Sequence, residues 1–188
     1  RRDAINSIQL ALICGYNYLL VGDPGTAKTA LAECASKHVI GARYYSPAAL
    51  GSYTTLGDLV GERDIPALMG GVSQRTTRGK LAAVELAFLD ELFKASDSTC
   101  NTLLSVMNAG ERRFEGAAVP LWCCGAATNW PEVKAQKPIV GAFWDRLHFR
   151  VVVETVSGEA ALTTMLRVGR GFSSAKYMPE EKARITFD

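Results

Sequence analysis

Gly22-Asp23-Pro24-Gly25-Thr26-Ala27-Lys28-Thr29 follows directly on the apolar run Tyr18-Leu19-Leu20-Val21. A turn rich in small residues lets backbone N–H groups close on an anion. A helix that starts after the turn directs its positive end at the same point. With Lys28 reaching β- and γ-phosphate oxygens and the Thr29 hydroxyl ligating Mg²⁺, such a segment holds the phosphates of a nucleoside triphosphate. It departs from the strict pattern at Ala27, where glycine is expected.

An acidic pair, Asp90-Glu91, closes a second apolar run, Phe88-Leu89. At such a strand end the first acid holds Mg²⁺ through water, and the second polarises the attacking water as general base. Asp90 therefore joins Thr29 at the metal, and Glu91 takes the water. Acid pairs also follow apolar runs by chance, so this one draws its weight from the phosphate loop upstream. Asn129, after Ala126-Ala127-Thr128, is either a turn residue or an amide between the first and third strands that orients the water. Arg146, in Trp144-Asp145-Arg146-Leu147, either pairs with a surface acid or reaches a neighbouring subunit's γ-phosphate. The second option predicts an oligomer with its sites between subunits.

The elements that must position these residues read as alternating strands and helices. Strands are expected at residues 18–21, 42–45, 85–89, 119–125 and 149–153. Helices are expected at residues 3–14, 26–38 and 97–109, the last with Asp97 or Ser98 near its cap, and again from Ser157-Gly158 to about residue 168. This alternation predicts a parallel sheet covered on both faces. Residues 51–80 interrupt the rhythm as a long Gly- and Thr-rich excursion, and residues 111–120 read as a hairpin turning at Glu115-Gly116.

Composition narrows the classes. The chain has 188 residues and a formal net charge of +2, which predicts one domain without a strongly basic face for nucleic acid or anionic membrane. No apolar run is long enough to span a bilayer. Five cysteines lack zinc spacing and read as reduced thiols in a cytoplasmic core, with Cys123 and Cys124 on opposite strand faces. Only two histidines, His38 and His148, are present, too few for a histidine metal site. The chain starts Arg1-Arg2-Asp3 without Met and reads as a piece of a longer protein.

Residues 22–29 and 88–91, with Asn129 and Arg146, resemble the Walker A, Walker B, sensor 1 and arginine-finger positions of the AAA+ ATPases. Alanine before the lysine is similar to the wording of the MoxR and MCM branches, and a small side chain there suits a helix first turn. Phe88 to Ala95, Asn101-Thr102-Leu103-Leu104 and Glu111-Arg112-Arg113-Phe114 most resemble the RavA-like subgroup of MoxR ATPases. The resemblance implies an α/β fold, a P-loop NTPase three-layer sandwich with a parallel five-stranded sheet. Residues 1–170 would form this AAA+ large subdomain, and 171–188 the start of a connection to a helical lid that the chain lacks. It further implies ATP and Mg²⁺ as ligands, a hexameric homo-oligomeric ring, and a partner with a von Willebrand factor A domain. Residues 51–80 would be an insert in helix 2 and residues 111–120 a hairpin before sensor 1, both projecting toward the pore or the partner.

The expected function is Mg-dependent ATP hydrolysis by a ring subunit that remodels or activates a protein client. Lys28 and Arg146 would neutralise charge, Glu91 would activate water and Asn129 would orient it. One alternative is a nucleic-acid motor related to MCM helicases, using Arg75, Arg78, Arg112 and Arg113; the near-neutral charge weighs against it. A nucleotide-dependent scaffold is the other, with little need for Asp90, Glu91 and Asn129 together.

Overall fold

The computed structural model describes residues 2–134 and 138–157, together with Thr163, Met178 and Ile185–Thr186. Helix α1 (Arg2–Cys14) buries Ala4, Ile8, Ala11 and Leu12. It ends at Gly15, whose φ of 71° is left-handed. Strand β1 (Tyr18–Val21) is buried throughout and runs into the loop before α2 (Lys28–Ser36). Two short strands follow, β2 (Val39–Ile40) and β3 (Tyr44–Tyr45).

Residues 51–80 hold two short helices. Helix α3 (Leu56–Val60) starts on a capping box of Thr55 and Asp58, and Asp64 caps α4 (Ile65–Met69). Strand β4 (Leu86–Leu89) leads through Asp90 into a 3-10 turn, Leu92–Lys94. Helix α5 (Asp97–Val106) is capped by Ser96, one residue earlier than expected, because its hydroxyl accepts the Thr99 N–H. The hairpin is present as β5 (Arg113–Phe114) and β6 (Ala117–Ala118). Glu115 and Gly116 turn it at φ 47° and 83°, as a tight hairpin requires. Then come β7 (Cys123–Thr128), α6 (Trp130–Lys134), α7 (Pro138–Trp144), β8 (Phe149–Val152) and β9 (Ile185–Thr186).

Five strands form one sheet in the order β3-β4-β7-β1-β8, and every neighbouring pair is parallel. Leu19, Val21, Leu89 and Ala126 face one core with Leu103 of α5 and Phe143 of α7. Leu20, Phe88 and Ala127 face the other, with Ile8 of α1 and Ala32 of α2. Burial on both faces is why these strands are apolar without alternation. Cys123 and Cys124 fall in opposite cores, as the strand period demands.

The fourth strand of the sheet differs from the expected 119–125. It begins at Cys123 and runs to Thr128, between β4 and β1. Pro120 has no N–H for a ladder, so a central strand cannot pass through it. The shift carries the strand end to Asn129. The expected helix from Ser157 to residue 168 lies almost wholly outside the described residues. Within the expected connection, Ile185–Thr186 pairs in parallel with Val39–Ile40, away from the main sheet. Among the described residues no helix is long and apolar enough to cross a membrane.

Candidate functional site

The loop between β1 and α2 is shaped by two constraints. A Cβ on Gly22 would lie 2.3 Å from the Val153 carbonyl oxygen, so only glycine lets β1 leave the sheet beside the exit of β8. Gly25 and Ala27 both take left-handed φ, 79° and 62°. Ala27 is therefore not in the helix first turn, as its small side chain had suggested; it sits at the N-cap, and α2 begins at Lys28. The loop is closed by the Thr26 hydroxyl, which donates to Asp23 O at 2.9 Å.

Pro24 through Thr29, with Asp90, Glu91 and Asn129, line one hollow of about 260 Å³. Parallel packing puts the ends of β1, β4 and β7 at the same edge of the sheet, and each delivers part of the site. Lys28 is buried. Its ammonium donates to Gly22 O at 2.8 Å, Asp23 O at 3.0 Å and Asn129 Oδ1 at 3.2 Å. Burial lowers its pKa, and the charges of Asp90, Asp23, Glu91 and Glu132 work against that shift. The Thr29 hydroxyl donates to Asp90 Oδ2 at 2.5 Å, so a hydroxyl and a carboxylate converge where a hard cation finds oxygen ligands. Asp90 Oδ1 accepts the Glu91 N–H at 3.0 Å.

Glu91 holds a left-handed φ of 55° at the start of the 3-10 turn. Its Oε1 lies 2.8 Å from Lys94 Nζ, and Lys94 is 3.9 Å from Glu132 Oε1. The bond to Glu91 raises the Lys94 pKa. Glu132 Oε2 accepts the backbone N–H of Asn129 at 3.0 Å. Neither Lys94 nor Glu132 was singled out from the sequence. The Asn129-x-x-Glu132 spacing at the start of α6 is the return half of a capping box and was a readable signal.

Arg146 is not brought to this hollow. Its guanidinium donates to Leu104 O at 2.9 Å and Ala142 O at 2.8 Å, in the last turns of α5 and α7. Its own carbonyl accepts from Asn17 Nδ2 at 3.0 Å. Asn17 precedes β1, so Arg146 sits at the end of the sheet opposite the phosphate loop. Asn17, fully buried, also donates to Met107 O and accepts the Cys124 N–H, a structural hub invisible in the sequence.

Two arginines of the nucleic-acid reading are occupied internally. Arg112 donates to Leu121 O at 2.6 Å and Gly15 O at 2.8 Å, and burial lowers its pKa. Arg75 grips both carboxylate oxygens of Glu115 at 2.9 and 3.1 Å and lies over the Phe114 ring. Arg78 and Arg113 are exposed.

The family described as "MoxR domain in the MoxR-vWA-beta-propeller ternary systems" matches residues 1–188. Two uncharacterized proteins of Methanocaldococcus jannaschii are each 32% identical, over 171 and 173 residues, covering 88% and 89% of this chain. A structural protein of Acidianus two-tailed virus is 32% identical over 155 residues, covering 80% of this chain and 25% of its own length. The chain spans 44% of the length of either archaeal relative. A crystal structure from Cytophaga hutchinsonii, described as a candidate ATPase, superposes with a TM-score of 0.67 over 92% of this chain and 52% of that one. At 21% identity that likeness shows the fold.

Proposed function

We propose that this chain, a member of the MoxR family of AAA+ ATPases, hydrolyses ATP as a subunit of a hexameric ring that remodels or activates a protein client. The observation that carries the reading is the hollow in which Lys28, Thr29, Asp90, Glu91 and Asn129 converge from three strand ends. No two of these strand ends are adjacent in sequence, and the set matches what in-line phosphoryl transfer to water requires.

In this reading the loop N–H groups and the start of α2 hold the β- and γ-phosphates. Lys28 turns from the loop carbonyls to the phosphate oxygens, where a lysine acts as a point charge. Thr29 and Asp90 would hold Mg²⁺, which supplies charge neutralisation across the phosphates. Glu91 takes the proton of the attacking water, and the Asn129 amide orients that water.

Arg146 lies away from its own hollow, and in this reading its guanidinium leaves the Leu104 and Ala142 carbonyls to reach the next subunit's nucleotide. The family's description supports a partner with a von Willebrand factor A domain. Residues 51–80 and the β5–β6 hairpin, joined by Arg75 and Glu115, are the surface we assign to partner or client. The RavA-like wording of residues 88–114 remains a further part of this proposal. The nucleic-acid alternative loses Arg75 and Arg112, which are spent on internal bonds.

The test is turnover by the full-length, assembled protein. Glu91→Gln should bind ATP like the wild type and lose turnover by orders of magnitude. Wild-type turnover in that variant removes Glu91 from its role, and no turnover by the wild-type assembled protein overturns the hydrolysis reading.

A further inference from the structure

We infer that Lys94 and Glu132 are positioning residues that strap Glu91 to Asn129, so that base and water-orienting amide are set as one unit. This rests on the hydrolysis reading and deepens it. The strap is a continuous chain of polar contacts. Lys94 Nζ lies 2.8 Å from Glu91 Oε1 and 3.9 Å from Glu132 Oε1. Glu132 Oε2 accepts the Asn129 N–H at 3.0 Å, and Asn129 Oδ1 accepts from Lys28 at 3.2 Å. The phosphate lysine and the base are thus connected from side to side of the hollow.

The two halves of the strap come from different elements. Glu91 and Lys94 lie on the 3-10 turn after β4, and Glu132 lies on α6 after β7. Those strands are direct neighbours, with Leu89 opposite Ala126. Their outgoing connections are therefore the two walls whose spacing sets the distance from base to amide. Lys94 spans that gap.

Charge gives the reason a cation is needed there. Asp90 and Glu91 follow β4 and Glu132 follows β7, yet all three carboxylates act on Lys94, and like charges gathered around one cation repel each other. Lys94 offsets that repulsion and ties the Glu91 carboxylate toward Glu132 of α6. The Lys94 and Glu91 side chains are 42% and 30% exposed, and pairs so exposed contribute little to stability. The strap's consequence is geometric. Misplacing a catalytic group by about an ångström can cost on the order of 100-fold in rate.

The experiment compares Lys94→Ala, Lys94→Arg and Glu132→Gln in the full-length assembled protein, with Glu91→Gln as reference. It measures kcat, KM, affinity for a non-hydrolysable ATP analogue, and thermal unfolding. Lys94→Ala and Glu132→Gln should each lower kcat on the order of tenfold, with KM and analogue affinity within about twofold. Lys94→Ala combined with Glu132→Gln should be no worse than either alone, since one device is broken once. Lys94→Arg should recover most of the rate. Unchanged or raised kcat in Lys94→Ala, or a loss that arginine does not recover, overturns the strap while leaving the role of Glu91 intact. Absence of turnover in the wild-type protein instead overturns the hydrolysis reading beneath it, and wild-type turnover in Glu91→Gln removes the base that the strap positions.

Discussion

The hydroxyl of Thr29 lies 2.5 Å from Oδ2 of Asp90, joining the first turn of α2 to the end of β4. The pair unites two oxygens that a metal ion can share, from residues far apart in the chain. Asp90→Asn should weaken Mg²⁺ binding to the nucleotide complex by about 10–100-fold, with metal-free nucleotide binding little changed. Thr29→Ser should retain the site and Thr29→Val should lose it. Titrating Mg²⁺ at fixed nucleotide, read out by turnover and by nucleotide fluorescence, checks both.

Gly22 and Ala27 should respond oppositely to exchange with each other's residue type. Gly22→Ala drives a Cβ to within 2.3 Å of a backbone oxygen that cannot move aside. It should cost about 1–3 kcal/mol and distort phosphate binding. Ala27→Gly removes a left-handed alanine, a conformation costing about 1–2 kcal/mol, and returns about 0.4–1 kcal/mol of unfolded-chain entropy. Stability should hold or rise by up to about 1.6 kcal/mol. Denaturant midpoints of the two variants test the sign of each effect.

Arg146→Ala should show two separable effects. Losing the bonds to Leu104 and Ala142 should cost about 1–2 kcal/mol, the low end for charged hydrogen bonds because the side chain is half-buried. In the proposed ring, turnover should fall by about 10³-fold or more if Arg146 serves the neighbouring site. Mixing inactive Glu91→Gln subunits with Arg146→Ala subunits decides the point. Activity restored in mixed rings supports action across the interface, and additive inactivity refutes it.

Acid should loosen the hairpin from the insert. Glu115 is held below its ordinary value of 4.5, first by its bond to Arg75. A carboxylate depressed in the fold contributes its stability above the unfolded value and loses it as pH falls through the folded one. Amide exchange in residues 113–118 should therefore accelerate, relative to the core strands, as pH drops below 4.5. Arg75→Ala should show the fast exchange already at neutral pH. Identical relative protection in both proteins across the range would exclude the clasp.

The glycine-bearing turn after β1, the acid pair after β4 and the parallel character of the sheet were legible in the chain because each is a local pattern. Val21 into Gly22, Leu89 into Asp90 and strand-helix alternation need only neighbours in sequence to be recognised. Strand limits were less legible. The run from Val119 looks apolar enough to begin a strand, and it takes the place between β4 and β1 to show that Pro120 must stay outside the ladder.

What the sequence determined by itself is the chemistry offered: a lysine, a hydroxyl, two acids and an amide, each set at a strand end or helix start. Tertiary structure decided which of them meet. It turned Ala27 left-handed ahead of α2, spent Arg75 and Arg112 on internal partners, and carried Arg146 to the far end of the sheet. It also recruited Lys94 and Glu132, residues with no catalytic motif, because the connections after β4 and β7 emerge side by side. The physical reason is that side-chain types and turns are local, whereas strand order sets every distance across the site, and only packing of the whole sheet fixes strand order.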